Sequence, residues 1–112
     1  EKLSYSIFVA ESQWTDNLGD YGDEFCYGHI KNINQNVDVE IYCENINQNG
    51  ERFTTVRKRQ STKGGGGGMA TYLGGTGKYL KLIGTKCPYG VQHIESSSWY
   101  KHKCNLPSDF TK

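Results

Sequence analysis

One stretch of the sequence decides the predicted fold: GGTGKYLKLIG, residues 74–84. It follows the apolar run MATYL at residues 69–73 and precedes a further strand-like segment. Two apolar runs separated by a glycine cluster are typical of a strand, a tight turn and a second strand. We therefore predict a hairpin here, with antiparallel strands on either side of it. Gly77-Lys78 does not end a phosphate-binding loop, because Tyr72 and Tyr79 stand where such a loop needs a glycine and a serine or threonine.

The four cysteines form two pairs of equal spacing, Cys26 with Cys43 and Cys87 with Cys104. Opposite residues of a regular antiparallel hairpin have a constant index sum, and half of that sum marks the turn. For both pairs the turn falls in a polar cluster, INQN at residues 33–36 and ESSS at residues 95–98. We therefore predict two disulfides, each at the open end of a hairpin. Disulfides persist in secreted or periplasmic space, whereas the alternative is four buried free thiols in a cytosolic barrel.

The predicted fold class is all-β. About eight short strands are separated by turns about every 8 to 12 residues, without a helical pattern. Connections in chain order favour an antiparallel up-and-down barrel, which also removes exposed strand edges; a two-sheet β-sandwich is the alternative. The 112 residues form a single domain, residues 1–112. Loops are predicted at residues 11–22, which carry Trp14, and at residues 60–68, where five consecutive glycines favour flexibility.

Composition and charge exclude several classes of function. The net charge of +1 predicts no nucleic-acid partner, and we assign the basic cluster at residues 57–59 to a solvated strand surface. The best apolar run, IFVA at residues 7–10, is far shorter than the roughly 20 residues of a membrane span. No Gly-x-Ser-x-Gly motif is present, and the cysteines are assigned to disulfides. We predict no catalytic residue, no metal and no cofactor.

The segment GGTGKY at residues 74–79, with the following Ile83-Gly84, resembles a glycine-rich hairpin of small barrels of the allene oxide cyclase and dirigent type. It is also similar to a hairpin in uncharacterised bacterial secreted proteins of that shape. The resemblance covers about a dozen residues. It implies a calycin-like barrel and a bacterial exported protein, and it carries no catalytic residue to this chain. The absence of an Asn-x-Ser/Thr sequon agrees with a prokaryotic exported protein.

Candidate ligand-binding residues follow from the register of the second hairpin. It places four side chains on one face, Tyr89, His93, Tyr100 and His102. They either line the barrel interior, where imidazoles and phenols bind a small molecule, or lie hydrogen-bonded at the rim. Trp14 either offers an aromatic platform to a ligand or closes one end of the barrel. His29 opposite Glu40 forms either an acid–base pair or a solvated cross-strand contact.

The function predicted from these residues is a non-catalytic binding module for a small or apolar ligand, or for a protein partner. An isomerase or cyclase that encloses an apolar substrate in the barrel is the first alternative. Such an enzyme requires a cavity of roughly a few hundred Å³ with convergent polar groups. A lectin-like sugar binder that uses Trp14 and Trp99 is the second alternative.

Overall fold

The structure, a computed structural model, describes residues 3–62, 67–95 and 97–110. In these ranges the chain forms seven antiparallel strands that follow one another in a single sheet. The strands are β1 (Leu3–Thr15), β2 (Tyr21–Ile33), β3 (Asn36–Asn47), β4 (Arg52–Thr62), β5 (Gly67–Gly75), β6 (Lys86–Ile94) and β7 (Ser97–His102). The sheet curls into a half-barrel with β1 and β7 at its two edges.

The predicted all-β, antiparallel, up-and-down architecture is confirmed, and the alternative of two packed sheets is not observed in the described residues. The expectation that barrel closure removes the strand edges is wrong, because β1 pairs only with β2 and β7 only with β6 there. In addition, the described residues contain seven strands rather than about eight, since the second half of the glycine-rich stretch is helical.

Both predicted disulfides are present and join directly opposite residues. The Cα atoms of Cys26 and Cys43 are 4.1 Å apart, and those of Cys87 and Cys104 are 4.6 Å apart. These distances are typical of non-hydrogen-bonded cross-strand pairs, whose Cα atoms lie about 4.5 Å apart. The first hairpin turns at Asn34 and Gln35, which both have positive φ, as a two-residue turn that follows the twist of the strands requires.

The ladder defines two faces of the sheet, because directly opposite residues point to the same side. We call the side of Cys26 and Cys87 the inner face and the side of Ile7 and Tyr27 the outer face. Buried residues of the inner face gather around the two disulfides. They are Val39 and Ile41 with the first disulfide, and Ala70 and Tyr89 with the second.

The stretch at residues 74–84 is not the predicted strand–turn–strand hairpin. Residues Gly77–Leu82 form a 3₁₀ helix that follows β5. With three residues per turn, Tyr79 and Leu82 lie on the same side of this helix, whereas in a strand they would point to opposite faces. Both are buried and pack with Phe53 and Phe110, so the helix closes one end of the half-barrel.

A hydrogen bond and an ion pair hold this helix to the β3–β4 and β1–β2 connections. The Lys78 amide donates to Glu51 Oε2 (3.0 Å), and the Lys78 ammonium pairs with Asp20. At Gly77, φ is +56°, a backbone conformation that favours glycine. The hydrogen bond from the Lys78 ammonium holds the pKa of Asp20 below its usual value.

The two predicted loops are shorter than expected. β1 continues to Thr15, so Trp14 lies in the ladder opposite Gly22, and only residues 16–20 connect the strands. Of the predicted flexible loop at residues 60–68, both ends are strand, and residues 63–66 lie outside the described part of the chain. No helix in the described ranges has the length and hydrophobicity that a membrane crossing demands.

Candidate functional site

Three of the predicted ligand-binding residues come together on the inner face of β6 and β7. Tyr89 lies opposite His102, as predicted, and their rings stack with centroids 5.4 Å apart. The ring of Tyr100 is 6.3 Å from that of Tyr89. Tyr89 is buried, whereas 37% of Tyr100 is exposed, so this tyrosine–histidine cluster extends from the interior to the surface.

Arg57 lies beside this cluster, and the sequence analysis did not identify it. Its guanidinium carbon is 5.1 Å from the centroid of the Tyr100 ring, within the range of a cation–π contact. Its Nη2 donates to Glu24 Oε2 at 2.7 Å, and both side chains of this ion pair are about nine-tenths buried. The assignment of residues 57–59 to a solvated surface is therefore wrong for Arg57, although Lys58 between the two arginines is 65% exposed.

Strand alternation is the signal that could have found Arg57. Phe53 is an apolar anchor of β4, and residues 55, 57 and 59 share its face because side chains alternate along a strand. The ladder confirms this, since Arg57 lies opposite the core residues Ile41 and Ala70. A basic residue at a core-facing position requires a buried partner, and Glu24 supplies it.

His102 is neutral at physiological pH in this environment. Burial lowers the pKa of the imidazole, and the positive charge of Arg57 lowers it further, to about 4. Burial also raises the pKa of the Tyr89 hydroxyl, which therefore stays protonated. The cluster thus offers uncharged hydrogen-bonding groups next to a buried guanidinium.

Several buried polar atoms of the inner face have no hydrogen-bond partner among the described residues. They are Asn45 Oδ1, Thr55 Oγ1, Arg57 Nε, Arg59 Nε and His102 Nε2. A buried polar atom without a partner costs roughly 1–3 kcal/mol, so such atoms in one region of a sheet need an explanation. Arg57 and Arg59 also bring two positive charges to this face, and the ion pair with Glu24 neutralises only one.

Trp14 is not part of the observed cluster. Trp14 packs edge-to-face on Phe53, with ring centroids 5.4 Å apart, and its indole N–H donates to the Asp23 carbonyl at 3.2 Å. It belongs to the group of residues that closes one end of the half-barrel. His93 pairs with Ser98 in the ladder as predicted, and its side chain lies outside the described part of the structure.

The predicted register is confirmed, because His29 lies directly opposite Glu40 in the ladder. Both residues are on the outer face. The imidazole of His29 stacks on Tyr5, with ring centroids 5.6 Å apart. Glu40 Oε1 accepts a hydrogen bond from the Tyr42 hydroxyl at 3.0 Å and lies 3.9 Å from the Lys58 ammonium. These contacts describe a solvated network of cross-strand neighbours.

Two further features of the described residues carry no chemistry. Glu24, Cys26 and Cys43 lie close enough to share a metal ion, but both sulfurs belong to a disulfide and offer no thiolate. A groove of about 470 Å³ is lined by residues near one end of β1, β2 and β3, among them Glu11, Asp23 and Glu44. It is partly open to solvent, and no residue of the tyrosine–histidine cluster lines it.

Comparison with known proteins finds no matching family model, no similar curated protein and no similar solved structure. Function is therefore inferred from the geometry of this chain.

Proposed function

We propose that this chain is a non-catalytic binding module. Its ligand combines an apolar or aromatic body with an anionic group, and it binds on the inner face between β4 and β7. The observation that carries the proposal is the set of polar atoms around Arg57 and His102 that have no partner among the described residues. They lie next to the Arg59 guanidinium, with which no carboxylate in the described part of the chain forms an ion pair.

The cluster offers complementary groups to such a ligand. The Nε atoms of Arg57 and Arg59 are donors only, and a carboxylate, sulfate or phosphate oxygen is the acceptor that guanidinium donors bind most strongly. The partly exposed ring of Tyr100 and the stacked pair of Tyr89 and His102 provide an aromatic wall beside these donors. A ligand with both parts therefore gains apolar contact and satisfies buried donors at the same time.

The alternatives are less well supported by the same geometry. A cyclase or isomerase that works by acid–base chemistry needs a free acid or base. Among the described residues of this face, Glu24 is ion-paired with Arg57, and a pKa of about 4 makes the His102 imidazole a weak base. The lectin hypothesis requires a shared aromatic platform from Trp14 and Trp99, whereas the ladder places these residues on opposite faces of the sheet.

We also propose that the protein is exported by a bacterium and works in an oxidising compartment. The two cross-strand disulfides support the compartment, because such bridges are rare in the cytosol. The resemblance at residues 74–84 to small exported barrels supports the bacterial origin. Thiol alkylation of the native protein, followed by mass measurement, should label no cysteine; four labelled cysteines would contradict the proposal.

The binding proposal is tested by titration calorimetry with benzoate and decanoate, compared with the uncharged analogues benzamide and decanol. The carboxylates should bind at least about tenfold more tightly than the uncharged analogues, since a hydrogen bond to a charged group contributes roughly 1.5–3 kcal/mol. The imidazole signals of His102 should shift in the NMR spectrum on binding. Equal affinity for charged and uncharged compounds, or no binding of either, would refute the proposal.

Variants of β4 separate the inner face from non-specific attraction to positive charge. Arg59→Met keeps the aliphatic stem and should weaken carboxylate binding by about 10- to 100-fold. Arg52→Met is the matched control, because Arg52 lies on the same strand with its side chain on the outer face. Arg57→Met is best combined with Glu24→Gln, since removal of one partner alone leaves a buried charge. Ordered water is the competing partner of the buried atoms, and in that case all these variants would behave alike.

A further inference from the structure

We infer that β1 pairs with β1 of a second copy of this chain, edge to edge and antiparallel, to form a two-fold symmetric dimer. This inference does not depend on the proposed ligand site, because it uses the opposite edge and the opposite face of the sheet.

β1 is a long and regular edge strand. It comprises 13 residues, pairs with β2 through an unbroken register and contains no bulge. In the described residues no other strand pairs with it, so one side of its backbone is unpaired. Edge strands of this kind are templates for pairing with another chain.

β1 lacks the devices that usually protect an edge. Its sequence, LSYSIFVAESQWT, contains no lysine, arginine, proline or glycine, and Glu11 is its single charged residue. The opposite edge differs: β7 has only six residues and carries Lys101. The contrast between the two edges indicates that β1 is kept available for pairing.

The backbone direction of β1 follows from the first disulfide. The Cα atoms of Cys26 and Cys43 are 4.1 Å apart, which is typical of a non-hydrogen-bonded pair. The amide and carbonyl of Cys26 therefore point away from β3 and toward β1. Ala10 lies opposite Cys26 and is therefore hydrogen-bonded to β2. The alternate residues, among them Ile7 and Val9, then direct their N–H and C=O groups away from the sheet.

The same alternate residues form an exposed apolar row on the outer face. The exposed fractions are 69% for Leu3, 58% for Tyr5, 71% for Ile7 and 63% for Val9. On β2 the row continues with Phe25 and Tyr27, which are 39% and 42% exposed. Exposed apolar rows of this extent in a small protein mark interaction surfaces.

The pattern is complementary to itself. In an antiparallel pair about a two-fold axis at Ile7, the outward-directed residues of both copies face one another. Tyr5 then lies opposite Val9 of the second copy, and Leu3 lies opposite Glu11 at the ends of the pairing. About ten main-chain hydrogen bonds form over residues 3–11. The two Glu11 carboxylates lie about 26 Å apart, well beyond the Debye length of about 8 Å, so they do not repel each other appreciably. The strand presents no cluster of charge that would favour a partner of opposite charge over a second copy.

The test is the mass in solution, measured by sedimentation equilibrium from about 1 to 100 μM protein, a range that spans the affinities of ordinary dimers. The wild type should change from the 12.6 kDa of the monomer to twice that mass. In hydrogen exchange, the amides of Tyr5, Ile7 and Val9 should become protected as the concentration rises, whereas that of Ala10 should be protected throughout.

Two variants at one position test the edge. Ile7→Pro removes an N–H that points away from β2, and Ile7→Lys places a charge at the axis; each should weaken association at least about 100-fold. Leu80→Lys, an equally drastic change of an exposed apolar residue (59% exposed) in the 3₁₀ helix, is the control and should leave association intact. A wild type that is monomeric over the whole range, or a dimer that survives Ile7→Lys, would overturn the inference. Protection of the β1 amides only after a different protein is added would assign the edge to a foreign strand instead.

Discussion

The buried imidazole of His102 makes the stability of the fold depend on pH. Its pKa is about 4 in the folded protein and about 6.5 in an unfolded chain. Between these values the unfolded chain binds a proton that the folded chain does not. The free energy of unfolding is therefore highest above about pH 6.5 and decreases as the pH falls toward 4. From about pH 7 to about pH 5, these pKa values predict a loss of about 2 kcal/mol.

The assay is urea denaturation followed by circular dichroism at a series of pH values. His102→Phe keeps an aromatic ring against Tyr89 and removes a buried nitrogen that has no partner among the described residues. At pH 7 the variant should be at least as stable as the wild type, and most of the decrease in stability toward low pH should be abolished. His29→Phe, on the outer face, is the control and should retain the decrease, because His102 is intact. The reasoning is refuted if the wild type loses less than about 0.5 kcal/mol over this range, or if His102→Phe loses as much as the wild type.

Three further predictions concern the framework of the fold. Gly28→Ala should destabilise the protein by about 1–3 kcal/mol in urea denaturation, because a Cβ at this position would lie 2.1 Å from a carbonyl oxygen of β3. Gly90→Ala, which meets no atom within 4 Å, should be neutral or slightly stabilising, and equal effects of the two variants would contradict the register. Each disulfide links residues separated by 17 positions and should contribute about 3 kcal/mol on the chain-entropy model, so reductant should lower the urea midpoint sharply; an unchanged midpoint would disprove this. Tyr79→Phe removes the hydrogen bond that the hydroxyl accepts from Asn47 (3.2 Å) and should cost about 1 kcal/mol, whereas a stability equal to that of the wild type would show that this bond is not formed in solution.

Strand alternation predicts part of the candidate site. The index sum of the second cysteine pair was sufficient to place Tyr89, Tyr100 and His102 on one face, and the structure brings these three together. Arg57 was missed because its charge and its neighbours suggested a solvated surface. Its burial depends on Glu24, which reaches the same face from β2, 33 positions earlier in the chain. No local pattern reports such a partner, since the two residues meet only after the sheet has curled.

The sequence by itself determined the all-β class, the chain-order connections, both disulfides and the register of both bridged hairpins. These features depend on local chemistry: alternation with period two, turn-forming residues and equal spacing of cysteines in neighbouring strands. Only the tertiary structure decided the conformation of residues 77–82, because strand and 3₁₀ helix are both open to this sequence, and burial of Tyr79 and Leu82 against Phe53 selects the helix. Only the tertiary structure also shows that β1 and β7 remain edge strands. Closure of a barrel depends on the twist of every strand relative to its neighbours, and no single stretch of residues determines it.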